Sequence, residues 1–92
     1  MKAQRALIIL AHGFEEIEAI AVIDILRRGK IEVVTAGLDY PVVTSARGMP
    51  IIADVQLKDV KGDLFDALIL PGGEPGTTYL EVSALVKEIV MR

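Results

Sequence analysis

The 92-residue sequence contains no cysteine and no tryptophan, and aromatic side chains make up only 4% of it. Without cysteine, neither a disulfide framework nor a thiolate zinc site can form within these residues, and they offer no thiol nucleophile for covalent catalysis. Neither sign of charge is in large excess. Thirteen acidic and ten basic residues leave a net charge of -3, which gives no electrostatic reason to expect nucleic acid or an anionic membrane as partner. Long apolar runs are missing too. The run Ala6–Ala11 that follows Met1-Lys2-Ala3-Gln4-Arg5 is shorter than the roughly 7–15 residues of a signal peptide's apolar region. No run approaches the ~20 residues of a membrane-spanning helix, so the expected location is cytoplasmic. Internal repeats, linkers and low-complexity stretches are also absent.

What is present is an ordinary globular composition, 52% hydrophobic and 25% charged. Ala6-Leu7-Ile8-Ile9-Leu10-Ala11 is continuously apolar instead of alternating, the pattern of a strand buried on both faces of a parallel sheet. The acidic cluster Glu15, Glu16 and Glu18 marks a helix N-terminus. Arg27 and Arg28, followed by Gly29, mark its end. Between these ends only Asp24 interrupts Ala19 to Leu26, so the helix is apolar around more than one stripe. A sheet covers one side of a helix; the surplus side of helix 15–28 is expected to meet another chain, as a homodimer contact, or a later part of the same one. Ile31–Ala36 reads as the second strand and completes a βαβ unit. Val42–Ser45 and Pro50–Ala53 flank Arg47-Gly48 as a hairpin with Gly48 in the strained position. Residues 56–60 read as a short helical turn, Phe65–Leu70 as a third buried strand and Tyr79–Met91 as the next helix. The fold class is therefore α/β with a parallel sheet and an inserted hairpin. At this length such a sheet would bury only about two-thirds of its unfolded surface, so further residues are expected to complete the domain.

In an open parallel sheet, ligands bind beyond the carboxyl ends of the strands. Two loops reach that end, His12–Glu18 after the first strand and Pro71–Gly76 after the third, and they are expected to face one crevice. A phosphate or flavin site is disfavoured there, because neither loop contains a P-loop or dinucleotide fingerprint and the first carries three carboxylates. A carboxylate ~4 Å from a phosphate oxygen costs on the order of 4 kcal/mol at a surface-like dielectric. No cofactor and no metal is expected. Pro71-Gly72-Gly73 admits two readings, a tight turn that ends a strand or an oxyanion device built from glycine amides. Glu18 is either a solvated first-turn glutamate or an inward-facing acid whose burial would keep it protonated. Glu15 and Glu16 fit the solvated reading. Arg47 could hold a substrate carboxylate but also suits a soluble hairpin tip. His12, the single histidine, is a weak base or metal candidate beside the plain loop reading.

Taken together, Arg5-Ala6-Leu7-Ile8-Ile9-Leu10-Ala11, Gly13-Phe14-Glu15-Glu16-Ile17-Glu18 and Ala67-Leu68-Ile69-Leu70-Pro71-Gly72-Gly73 resemble the ThiJ/PfpI family, in particular its DJ-one branch, over nearly the whole chain. The resemblance implies a flavodoxin-like (class I glutamine amidotransferase-like) three-layer α/β sandwich, usually dimeric, of which residues 1–92 form the N-terminal half. It implies cysteine-dependent deglycase or glyoxalase-like hydrolase activity on small carbonyl or glycated substrates, or, as the alternative, a stress-responsive chaperone or association module. By the same resemblance Glu18 matches the acid that contacts the reactive cysteine, Gly73 with Gly72 matches the turn that supplies an oxyanion amide, and Arg47 matches the arginine at the pocket mouth. That last match needs a gap around Asp39–Ala46. The family's cysteine and histidine lie beyond the segment matched here, so these residues form a support shell and the remainder of the domain, possibly as a second chain, is the expected partner.

Overall fold

The computed structural model describes residues 4–74 and Ser83. Its elements are strand β1 (Arg5–Leu10), helix α1 (Glu16–Arg28), strands β2 (Glu32–Gly37), β3 (Val42–Thr44), β4 (Pro50–Ile52) and β5 (Val55–Gln56), a 3-10 turn (Leu57–Val60), and strand β6 (Ala67–Ile69). β5, β2, β1 and β6 lie side by side in that order as one parallel sheet, while β3 and β4 pair antiparallel as the separate hairpin. The helix expected over Tyr79–Met91 lies outside the described residues.

The unbroken apolar run of β1 is explained by its central place. Because side chains alternate across a strand, Ala6, Ile8 and Leu10 join Phe14, Ala19 and Ile23 on the α1 face. Leu7, Ile9 and Ala11 join Leu57 and Val60 of the 3-10 turn on the other. Burying each large aliphatic side chain contributes about 1.5–3 kcal/mol, so β1 anchors two cores at once.

Helix α1 begins and ends close to where its charges place it. The Glu15 carboxylate accepts a hydrogen bond from the Ile17 amide at 2.9 Å and caps the first turn. Gly29 ends the helix with φ -82°, and the left-handed conformation falls on Lys30, at φ 67°. There the Ile31 amide reaches back to the Leu26 carbonyl at 3.0 Å, the closure of a helix C-terminus that glycine usually provides. Arg27 does more than complement the helix dipole. Its guanidinium donates to the Val33 carbonyl at 2.9 Å and to Asp54 at 3.2 Å, and Asp54 also accepts from the Thr35 amide, so one arginine ties α1 to β2.

Two expectations change, and one open reading is decided. The third strand is shorter than Phe65–Leu70 and is not buried: β6 flanks β1 with Ala67 exposed and Leu68 and Ile69 half-buried. Among the described residues β6 is paired on one side only, with β1. Glu16, expected in solvent, is buried, because residues 16, 19 and 23 form the stripe of α1 that faces the sheet. Of the two readings left open for Glu18 the exposed one is found, because the residue lies off that stripe. The surplus apolar face of α1 is as read: Ile17, Ile20 and Ile25 stand 76%, 44% and 66% exposed.

Candidate functional site

β1 is central, and the chain passes from it to β2 and β5 on one side and to β6 on the other. The strand order therefore reverses between β1 and β6, and the loops leaving their carboxyl ends meet at the switch point where such sheets bind ligands. Those loops are bonded to one another. The Glu15 amide donates to the Gly72 carbonyl at 2.8 Å, and the Gly72 amide donates to Glu18 Oε1 at 3.2 Å, across 54 positions of sequence. Glu18 and the glycine turn are thus brought together, with Glu18 reaching the turn from the exposed side of α1.

Glycine is required here by space. Gly73 has φ 99°, and a Cβ on it would lie 2.6 Å from both the Glu15 nitrogen and the Gly13 oxygen, which are backbone atoms that cannot yield. A Cβ on Gly72 would meet only the Glu18 carboxylate, at 3.2 Å from Oε1. The turn is therefore more than the end of a strand. It is shaped so that backbone passes directly under the β1–α1 loop, and its first amide already faces a carboxylate.

The hairpin is fastened to the same loop. The Gly13 amide donates to the Thr44 carbonyl at 2.8 Å, the Ala46 amide to the Phe14 carbonyl at 2.8 Å, and the Thr44 amide to His12 Nδ1 at 3.1 Å. His12 thus uses one ring nitrogen as a structural acceptor, and among the described residues no cluster of three or more histidine, cysteine or acidic side chains is placed to hold a metal ion. Gly48 takes φ 81° at the hairpin tip, as its position requires. Arg47 beside it is exposed, and among the described residues no hydrogen bond or ion pair engages its guanidinium. The geometry joins Glu18, Gly72 and Gly73 in one constellation and leaves Arg47 on the hairpin that borders it.

Sequence reasoning missed the part played by Gly13 and Glu15. Gly13 is buried at φ 89° and gives the β1–α1 loop its sharp exit, and Glu15 serves both as helix cap and as the bond to the glycine turn. The available signal was a glycine directly after a buried strand, followed by a carboxylate at the helix start.

Comparison with known proteins agrees with this architecture. The DJ-1/PfpI family matches residues 4–92. The chain is 41% identical to the glutathione-independent glyoxalase DJR-1.2 of Caenorhabditis elegans, over 98% of this chain and 49% of that protein. It is 37% identical to the protein DJ-1 homolog B of Arabidopsis thaliana, over 97% of this chain and 20% of that protein. The crystal structure of Drosophila melanogaster DJ-1beta superposes with a TM-score of 0.95 at 40% identity, covering 98% of this chain and 49% of the other. The chain spans half or less of the length of these relatives. With its parallel sheet, its helix on one face and its bonded pair of carboxyl-end loops, the chain has the flavodoxin-like α/β fold and belongs to the DJ-1/PfpI family.

Proposed function

We propose that these residues supply the N-terminal half of a single domain whose complete form is a cysteine-dependent, glyoxalase- or deglycase-like hydrolase acting on small carbonyl compounds or their adducts. The observation that carries this reading is the 3.2 Å bond between Glu18 and the Gly72 amide, which holds an acid over the glycine turn at the carboxyl end of the sheet. A cysteine thiolate from outside these residues adds to the carbonyl carbon, and the carbonyl oxygen takes the electron pair beside the Gly73 amide. Glu18, acting as proton partner of that cysteine, is covered when the remainder of the domain packs over it. Arg47, on the hairpin, receives an anionic group of the substrate. The name of the nematode relative supports the substrate class.

A homodimer through helix α1 belongs to the same proposal. Ile17, Ile20 and Ala21 of α1, with Met49 of the hairpin and Glu16 beside them, line a groove whose exposed surface is apolar and which a second copy would cover. We place the protein in the cytoplasm, where a reduced thiol is maintained. The test is methylglyoxal turnover by the complete protein. Glu18→Ala should lower turnover by at least ~10²-fold, the usual contribution of a positioned acid. Unchanged turnover would overturn the assignment.

The exposed isoleucines favour a second reading, a chaperone or association module of the same fold. An assembly that suppresses aggregation of a client protein and does not consume methylglyoxal would support it in place of the first.

A further inference from the structure

A second concavity lies at the carboxyl ends of β1 and β2, on the side of β1 away from the glycine turn. It encloses about 300 Å³, at the lower end of the range for small-molecule sites, ~300–1,000 Å³. Leu10, Ala11 and Val43, all buried, contribute its apolar floor, and His12, Asp39 and Tyr40 stand around it.

The walls are fixed. The Leu38 amide donates to the Leu10 carbonyl at 2.9 Å, which sets the start of the 38–40 segment. That segment then folds back so tightly that a Cβ on Gly37 would collide with the Tyr40 carbonyl. The His12 ring is held through Nδ1 by the Thr44 amide, and the His12 and Tyr40 rings lie 5.6 Å apart at a tilt of 38°. The polar groups that remain are the Asp39 carboxylate, the Tyr40 hydroxyl and the Nε2–H of His12, whose Nδ1 is taken. Asp39 and Tyr40 are exposed, and among the described residues neither the carboxylate nor the hydroxyl has a hydrogen-bond or ion-pair partner. No lysine or arginine lines the cleft.

An apolar floor, an aromatic face and one unpaired carboxylate, with no opposing cation, match the chemistry of a small organic cation. We propose that this cleft binds a protonated amine with an apolar body, its ammonium group shared between Asp39 and the Tyr40 ring and its body seated over Leu10 and Val43. Carboxylates and aromatic faces both attract such a cation, and the floor removes its apolar part from water. The proposal is independent of the carbonyl chemistry above, because it uses none of Glu18, Gly72 or Gly73.

The experiment titrates the full-length protein, ¹⁵N-labelled, with benzylammonium, with benzyl alcohol and with benzoate of matching shape. Benzylammonium should shift the amides of His12, Asp39 and Tyr40 saturably, with Kd of about 1 mM, and benzoate should not. Asp39→Asn should weaken binding about fivefold, and Tyr40→Leu about threefold. Both residues are exposed, so the variants should keep the amide spectrum of the folded protein, and unperturbed glycine-turn resonances confirm it. Equal responses to all three probes, the absence of saturable shifts at these amides, or undiminished binding in Asp39→Asn would each overturn the proposal.

Discussion

The two ends of the parallel sheet are held together in different ways. At the carboxyl end backbone-to-backbone joints lead, Glu15 to Gly72, Gly13 to Thr44 and Ala46 to Phe14, each bond at 2.8 Å, with the side chains of Glu18 and His12 adding one bond each. At the amino end two backbone bonds, Asp66 amide to Arg5 carbonyl at 2.8 Å and Glu32 amide to Gln4 carbonyl at 3.0 Å, are joined by a larger set of side-chain contacts. Arg5 pairs with Glu32 at 3.1 Å and lies over the Phe65 ring at 4.6 Å, while the Asp66 carboxylate accepts from the Arg5 amide at 2.7 Å. Flexible surface side chains close the sheet without fixing atoms to a few tenths of an ångström, whereas glycine-dependent backbone contacts do fix them. The fold uses the second kind of joint where the glycine turn meets the β1–α1 loop.

The sharpest way to break the comparison is to remove the apolar plug beneath the carboxyl-end loops. Phe14 is 1% exposed, and Phe14→Ala should cost about 4 kcal/mol in urea denaturation of the complete protein. Next comes Gly73→Ala, which combines a positive φ with two backbone collisions and should cost about 3 kcal/mol. If either variant is as stable as the parent, the carboxyl end is not held as described.

The amino end should be tolerant, and in one place improvable. Lys30 occupies a left-handed conformation where α1 turns into β2. Lys30→Gly should raise stability by about 1 kcal/mol, read as a higher denaturation midpoint. The smallest effect belongs to the half-exposed Arg5–Glu32 pair. Glu32→Gln should change stability by no more than about 0.5 kcal/mol, and that difference should vanish in 1 M salt.

How much of this was legible in the sequence follows from which interactions are local. The continuous run of β1, the charged ends of α1 and the Arg47-Gly48 hairpin are local patterns, and each element stands where its pattern places it. The phase of α1 was not legible. When nearly every position from Ala19 to Leu26 is apolar, composition does not say which stripe faces the sheet, and so Glu16, expected in solvent, is buried, while the choice left open for Glu18 is made only by the fold. The one-sided pairing of β6 among the described residues and the two-residue strand β5 were hidden for a related reason, since pairing depends on partners far away in sequence. The candidate site was legible as two loops at one sheet end. The bond from Gly72 to Glu18 was not, because it depends on a glycine clearance that only the folded backbone reveals.

The most direct measurement of the central claim, that Glu18 and the glycine turn serve one reactive thiol, is the pH dependence of iodoacetamide alkylation in the complete protein. Removing an acid that donates to a thiolate should move the alkylation midpoint of Glu18→Ala to higher pH. A midpoint identical to that of the parent would contradict the account.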